Sequence, residues 1–454
     1  MVVRYHFDDD LGGDDRVGSD INSWRKRFLK DRMTVESRKR KVFVLAGEAS
    51  GDLHGSHVVR KLVLGSEGFD ACEVVCWGGD MMAAAGGRLL SHYKERAIMG
   101  LWEVIRNLKK ISGFLDQAKV DILAEKPDLL LLIDNPGFNL RIAKWAKSQG
   151  IAVHYYIAPK AWAWNTGRIK TMRRVIDKLY VIFPFEVSFF AKYQMSAEYV
   201  GNPILEEIDR SLQRFHDQKF WDVDLMDELG APLGVGELAD SSHVVLLMPG
   251  SRKNEVRLLL PNFVAAARKF DAQSMCVVAG APGLDAAFYQ EILAEAVLAG
   301  RLSQGDVDSV KVYFGATYHL LMQLGDGELI GPIKSGLQNR GLALVASGTA
   351  TLETALLGVP QVVAYRVNGF TYFMAKRLVN LRWVSLVNIL LNRGLLEEHL
   401  QDVSPEGLSI ALTQLSNNKS NIKAGYQELR DLLVMPNGSS ASDGVVREIL
   451  RQMS

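Results

Sequence analysis

Asp134 ends the apolar run Leu129-Leu-Leu-Leu-Ile133 and precedes Asn135-Pro-Gly-Phe-Asn139, the form of a strand breaking into a turn shaped by Pro and Gly. A carboxylate in that place can take a proton from a hydroxyl, and partial burial raises its pKa toward the range useful to a general base. The same spacing also suits an Asx-type turn or a helix cap, a role for which Asn139 qualifies as well. A second apolar run, Leu342 to Val345, breaks into Ala346-Ser-Gly-Thr-Ala-Thr-Leu-Glu353. A helix start has N–H groups without intrahelical partners and carries the positive end of the macrodipole, so Ser347, Gly348 and Thr349 form a candidate phosphate cradle. Glu353 lies about one turn further in, within reach of a ribose diol.

Further polar groups follow other strand-like runs. Pro249-Gly-Ser-Arg252-Lys253 offers exposed N–H groups and a planar guanidinium suited to a diphosphate, whose growing charge on departure needs fixed cations or helix ends; its plain alternative is a solvated loop arginine. The turn Gly47 to Gly55 holds Glu48, Ser50, Asp52 and His54, which could orient a sugar or an acceptor phosphate, although Ser50 and Asp52 equally suit helix caps. That turn lacks the GK[ST] ending of a Walker loop. The stretch His154 to Trp164 is rich in aromatics, with Trp162 a candidate face for a sugar ring or acyl chain, and Arg168, Lys170, Arg173 and Arg174 follow it. Core packing and a solvated basic face are the ordinary outcomes for such residues. In Met99 to Ile111 an apolar stripe that includes Leu101, Trp102, Ile105 and Leu108 alternates with Arg106, Lys109 and Lys110. Such a stripe is usually core, and would meet lipid if the substrate were acylated.

The elements that must carry these residues alternate between short apolar or β-branched runs and amphipathic stretches, the pattern of βα units around parallel sheets. Predicted strands are Val42 to Ala46, Glu73 to Trp77, Leu129 to Asp134, Ala152 to Ile157 and Leu179 to Phe183, then Val244 to Met248, Met275 to Ala279, Val310 to Phe314, Leu342 to Ala346 and Gln361 to Tyr365. This predicts an α/β chain of two Rossmann-like domains, 41–204 and 243–400, joined by 205–242, with a helical tail 401–454 and a disordered or weakly helical extension 1–40. Residues 324–341, rich in Gly, Asp, Pro, Lys and Asn, read as a surface loop.

At 454 residues the chain outgrows a single core. Its 53 basic and 52 acidic residues leave a net charge of +1, which gives no global field toward nucleic acid. Cys72, Cys76 and Cys276 provide neither a disulfide framework nor a four-ligand zinc pattern and read as buried thiols in a reducing compartment. No stretch reaches the roughly 20 apolar residues of a spanning helix. The acidic start, without an apolar core segment, resembles no signal peptide.

Taken in order, Ala46-Gly-Glu-Ala-Ser-Gly-Asp-Leu-His, Gly78-Gly-Asp-Met-Met-Ala-Ala-Ala-Gly, Ile133-Asp-Asn-Pro-Gly-Phe-Asn, Ala158-Pro-Lys-Ala-Trp-Ala-Trp, Val200-Gly-Asn-Pro, Pro249-Gly-Ser-Arg and Ala346-Ser-Gly-Thr-Ala-Thr-Leu-Glu resemble the lipid-A-disaccharide synthase family, as do Tyr365-Arg366 and Ser385-Leu-Val-Asn388 after them. The resemblance implies a GT-B fold and an inverting glycosyltransferase that joins UDP-2,3-diacylglucosamine to 2,3-diacylglucosamine 1-phosphate, giving the β-1′,6-linked disaccharide of lipid A and UDP, with no metal or other cofactor. It makes Asp134 the base for the acceptor hydroxyl, assigns UDP to Arg252, Ser347, Gly348, Thr349 and Glu353, and lines the cleft with Arg366 and Asn388. It also implies peripheral association with the cytoplasmic face of the inner membrane, which favours lipid contact by the Trp102 stripe, and a homodimer. Gly137 stands where the family often has a second acidic residue, leaving Asp134 as sole base, and Asn202 replaces a frequent His and is given no proton-transfer role. Val387 and Glu397 replace frequent prolines, and 324–340 reads as an insertion. A UDP-sugar 2-epimerase would share the architecture and nucleotide pocket without a lipid acceptor, and a non-catalytic UDP-sugar-binding protein would tolerate loss of Asp134.

Overall fold

The computed structural model describes residues 39–65, 70–96, 108–163, 165–216, 243–331, 338–366 and 382–453. In its first half, strands β1 (Lys41–Ala46), β2 (Glu73–Gly78), β3 (Arg88–His92), β4 (Leu129–Ile133), β5 (Ala152–Tyr156), β6 (Lys178–Val181) and β7 (Glu198–Tyr199) form a parallel sheet in the order β3-β2-β1-β4-β5-β6-β7. In the second half, β8 (Val244–Met248), β9 (Met275–Gly280), β10 (Val310–Phe314), β11 (Gly341–Ala346), β12 (Gln361–Tyr365) and β13 (Glu398–Leu400) form another, in the order β10-β9-β8-β11-β12-β13. Both are doubly wound, and strand order reverses between β1 and β4 and between β8 and β11. Ligands of such sheets bind at that reversal, outside the carboxyl ends of the strands.

The central strands read as unbroken apolar runs because helices cover both of their faces. Along β1 and β4, Phe43, Leu45, Leu130 and Leu132 enter one buried cluster, while Val42, Val44, Leu129, Leu131 and Ile133 enter the other. The second cluster runs on into the other sheet through Val245, Leu247 and Leu344. It is bridged by Ile204, Leu205 and Ile208 of the connecting helix Pro203–His216 and by Val445 and Ile449 of the closing helix Ala441–Met453. The closing helix packs back on the helix Ala49–Leu64 of the first half.

Polar bonds fix this return. Ser442 donates from its N–H and its hydroxyl to the buried Glu206 carboxylate at 3.1 and 2.6 Å, and Lys61 donates to Asp443 at 2.6 Å. His57, also buried, lies 3.1 Å from Glu207 and 3.6 Å from Glu206. Burial opposes a charge on His57, but the two carboxylates outweigh it and raise its pKa. Glu206 is driven the other way: His57, Ser442 and Lys61 overcome burial and bring it down to about 2.

Several predicted boundaries shift. β4 ends at Ile133 and β5 at Tyr156, because Asp134 and Ile157 turn into the left-handed region at φ 45° and 61°. β6 covers Lys178–Val181 rather than Leu179 to Phe183, since Pro184 opens a helix. The short edge strands β3, β7 and β13 escape apolar pattern reading, their residues being mostly half-buried or exposed. Of the segment 324–341, residues 332–337 lie outside the described residues, and Gly327–Ile330 is a one-turn helix capped by Asp326, itself buried and 3.0 Å from Lys423. All three cysteines are free and buried, and burial pushes the Cys76 and Cys276 thiols up to about 12. Leu101, Trp102 and Ile105 lie outside the described residues, as do 1–38 of the extension and 217–242 of the connection. Leu108 is the first residue of the helix Leu108–Glu125. No helix among the described residues is long and apolar enough to cross a membrane.

Candidate active site

Asp134 stands at the reversal point of the first sheet, and its backbone is held at every polar atom. Its N–H donates to the Tyr156 carbonyl at 3.0 Å, and its carbonyl accepts from Asn139 Nδ2 at 2.7 Å and from the Tyr155 hydroxyl. These bonds maintain two successive left-handed residues, Asp134 at φ 45° and Asn135 at φ 43°, a region that Asp and Asn enter more readily than other side chains but ordinarily as single residues. Strain of this kind persists where the surroundings overdetermine it, and it collects at functional sites. The half-buried carboxylate is left to chemistry. Burial raises its pKa and so does Glu48 across the neighbouring strand end, while Lys160 and the Asn135 N–H pull it down. The β1 and β4 turns interlock, since a Cβ on Gly47 would lie 2.0 Å from Asn135 Nδ2 and 3.0 Å from its Cγ.

At the reversal point of the second sheet, Arg252 caps the helix Lys253–Phe270. Its side chain is 81% exposed and pairs with Glu255 at 2.9 Å. Gly250, at φ 107°, permits this: a Cβ there would fall 2.6 Å from Glu255 Oε2. Across the reversal, Gly348 and Thr349 are exposed at the start of the helix Thr349–Leu356, and the space where a Gly348 side chain would stand is open. Glu353 accepts a hydrogen bond from the Tyr318 hydroxyl at 3.2 Å. Its pKa is raised by burial, lowered by that bond and raised again by Glu207 of the connecting helix, which also lies 3.1 Å from His57. Arg366 is half-buried just past β12, where Tyr365 feels both Glu255 and Arg252.

Other predicted contacts have structural tasks. The Asp52 carboxylate is buried and accepts from the N–H groups of Gly79, Met81 and Met82 at 2.7, 3.1 and 3.2 Å, capping the helix Asp80–Ala84 rather than facing a ligand. Asn139, at 0% exposure, also donates to the Ile133 carbonyl at 3.0 Å and locks the Asp134 turn from beneath. Asn388, equally buried, donates to Leu396 O and Glu398 and accepts from Leu395 and Leu396 N–H, so it does not line the cleft. Ser347 donates its N–H to Ala364 O and its hydroxyl to Val384 O, both at 2.9 Å, which leaves the free donors of that turn to Gly348 and Thr349. His54 sits by His57, Glu206 and Glu207, and burial holds it neutral with a pKa of about 4. Glu48 and Ser50 are exposed at the mouth of the first site. Trp162, half-buried, donates its indole N–H to Glu186 at 2.9 Å.

Sequence reading missed Glu186, Lys160, Glu255 and Tyr318. Glu186 had a signal, an acidic residue in the first turn of a helix opened by Pro184. Tyr318 had none, because it reaches Glu353 only across the fold. Among the described residues no group of three His, Cys, Asp or Glu could hold a metal ion.

Solved structures share this architecture. A UDP-GlcNAc 2-epimerase from Neisseria meningitidis, bound to UDP-GlcNAc, superposes with a TM-score of 0.55 at 14% identity, covering 90% of this chain and 100% of that one. The glycotransferase of kitacinnamycin superposes at 0.54 and 14%, covering 91% and 99%. At such identities the likeness establishes the fold alone, two Rossmann-like domains of GT-B type. Sequence relatives reach further. A lipid-A-disaccharide synthase of Syntrophus aciditrophicus is 33% identical over 399 residues, 87% of this chain and 94% of its own, and one of Geobacter sulfurreducens is 30% identical over 420 residues, 92% and 99%. The family profile described as lipid-A-disaccharide synthetase matches residues 42–295 and 334–443. With the motifs of both reversal points inside those spans, the chain belongs to the lipid-A-disaccharide synthase family.

Proposed function

We propose that this protein is an inverting glycosyltransferase that condenses UDP-2,3-diacylglucosamine with 2,3-diacylglucosamine 1-phosphate, releasing UDP and the β-1′,6-linked lipid A disaccharide 1-phosphate. The observation that carries the reading is the Asp134 carboxylate, fixed by its own backbone at the reversal point of one sheet, with a raised pKa. The acceptor 6-hydroxyl passes its proton to Asp134 as its oxygen attacks the anomeric carbon, and the bond from that carbon to the UDP oxygen breaks on the opposite face. Arg252 and the N–H groups at Gly348 and Thr349 receive the charge gained by the diphosphate, and Glu353, steadied by Tyr318, accepts from the ribose hydroxyls.

Both substrates carry acyl chains, so the reaction belongs at a membrane surface. The apolar stripe Leu101, Trp102, Ile105 and Leu108 is the proposed contact with the cytoplasmic face of the inner membrane, in a homodimeric enzyme. The 2-epimerase reading rests on a shared fold at 14% identity, whereas relatives of 30–34% identity over most of the chain carry the synthase name. The test is to mix the purified protein with both diacyl substrates and weigh the products. A disaccharide monophosphate and UDP are expected. Conversion of UDP-N-acetylglucosamine alone to an epimer, with no disaccharide from the diacyl pair, would overturn the assignment.

A further inference from the structure

Glu186 has no part in the chemistry above, yet it lies beside the acceptor-side edge of the first sheet at 1% exposure. Its Oε2 accepts from the N–H groups of Ile182 and Phe183 at 3.2 and 3.1 Å, and its Oε1 accepts from Trp162 Nε1–H at 2.9 Å. All three partners are donors, the arrangement of an ionised carboxylate. Burial nevertheless pushes its pKa up to about 7, against the pull of those donors and of Lys160.

The Trp162 ring is also gripped from the side. It stands edge-on to Phe183 and Phe185, with centroids at 6.5 and 5.2 Å, and those two rings stack on each other at 5.8 Å. The segment between is a tight turn, with Ala161 N–H donating to Pro159 O and Ala163 N–H to Lys160 O. A tether at Trp162 therefore fixes Lys160 two residues earlier. Lys160 is exposed four residues past Tyr156, whose carbonyl takes the Asp134 N–H, and its ammonium lowers the pKa of both Asp134 and Glu186.

We propose that Glu186 is a positioning residue for the sugar-phosphate acceptor: by holding the Trp162 indole it sets the turn that presents Lys160 to the acceptor's anionic phosphate beside Asp134. The proposal rests on the transferase reading and deepens it on the acceptor side. The nucleotide-sugar side is served by the other sheet, so the two substrates should respond differently when the tether is cut.

The test is steady-state kinetics of E186Q and W162F with UDP-diacylglucosamine and diacylglucosamine 1-phosphate in detergent micelles. W162F keeps an aromatic ring beside Phe183 and Phe185 and loses the indole donor together with part of the ring surface. Each is expected to raise the acceptor KM roughly tenfold, the scale of a charge-assisted hydrogen bond, with the donor KM within about twofold. The double variant should be no worse than the worse single one, since one substitution neutralises the acceptor and the other removes the donor of the same bond. An unchanged acceptor KM in W162F, equal rises in both KM values, or additive losses would overturn the proposal. If E186Q does not fold, W162F alone decides. A separate readout needs no turnover: the indole 15N–1H signal of Trp162 should shift in E186Q as the N–H loses its anionic acceptor, and an unmoved signal counts against the tether. Absence of any transfer by the unaltered protein, with that shift present, would instead refute the transferase reading and leave the tether standing.

Discussion

A carboxylate becomes a base through its surroundings, and for Asp134, the proposed base, little of that is written at the position itself. Its pKa is raised by burial and by Glu48 and restrained by Lys160, residues on three different loops. D134N keeps the shape and removes the proton acceptor, so turnover should fall on the order of 10²- to 10⁴-fold with little change in thermal stability. The acid limb of the rate profile, where the unaltered enzyme loses activity as falling pH protonates Asp134, should vanish in whatever activity remains. Near-normal turnover of a folded D134N protein would send the search for the base elsewhere. Arg252 makes a simpler case, since among the described residues its ion pair is the exposed one with Glu255. R252A should leave the unfolding midpoint unchanged and reduce kcat/KM for the UDP-sugar by about 10- to 100-fold, the range of a lost hydrogen bond to a charged group.

At the scale of elements, the turns at the strand ends are held by polar side chains that composition alone does not separate from ligands. Asp52 is the plainest example. It sits in a Gly-rich turn like a substrate contact, yet its oxygens cap a helix whose N-cap, Gly79, stands 27 positions further along, beyond β2. D52A strips three N–H groups, those of Gly79 and Met82 buried, of their acceptor and should lower stability by about 1–3 kcal/mol in urea unfolding, while the KM values of molecules that remain folded stay as they were. A large KM change at full stability would return Asp52 to the ligand. Asn388 and Asn139 were open to the same misreading for the same reason: an amide satisfied by distant backbone and an amide free to meet a sugar have identical local sequence.

In the whole molecule, the closing helix returns to the first sheet and is docked by the Glu206, Glu207 and His57 cluster on the connecting helix and its neighbour. The pKa of His57 is raised above its ordinary 6.5, so its contribution is complete below that value and is lost as pH rises through the raised pKa. Glu206 is lowered from 4.5 to about 2, so its contribution is present above 4.5 and is lost as pH falls toward 2. The docking should therefore be firmest between about pH 4.5 and 6.5. Urea midpoints measured at pH 6 and pH 8.5 should fall with rising pH in the unaltered protein and lose that dependence in H57Q. An equal pH dependence in both would remove His57 from the explanation.

By itself the sequence determined the parts that depend on near neighbours along the chain. Apolar runs dictate buried parallel strands, and the Gly, Pro and Ser residues behind them dictate turns at the carboxyl ends, so the two-sheet architecture and the placement of Asp134, Arg252 and Gly348–Thr349 behind strand ends were legible. The boundary errors at β4 and β5 came from left-handed residues that only contacts to Tyr155, Tyr156 and Asn139 stabilise. Tertiary structure alone decided which polar side chains are used up inside, as with Asp52, Ser347 and Asn388, and which come together from afar, as with Glu186 and Trp162 or Tyr318 and Glu353. The reason is that hydrogen bonding and desolvation act over a few ångströms of space, and those ångströms join residues separated by tens of positions in the chain.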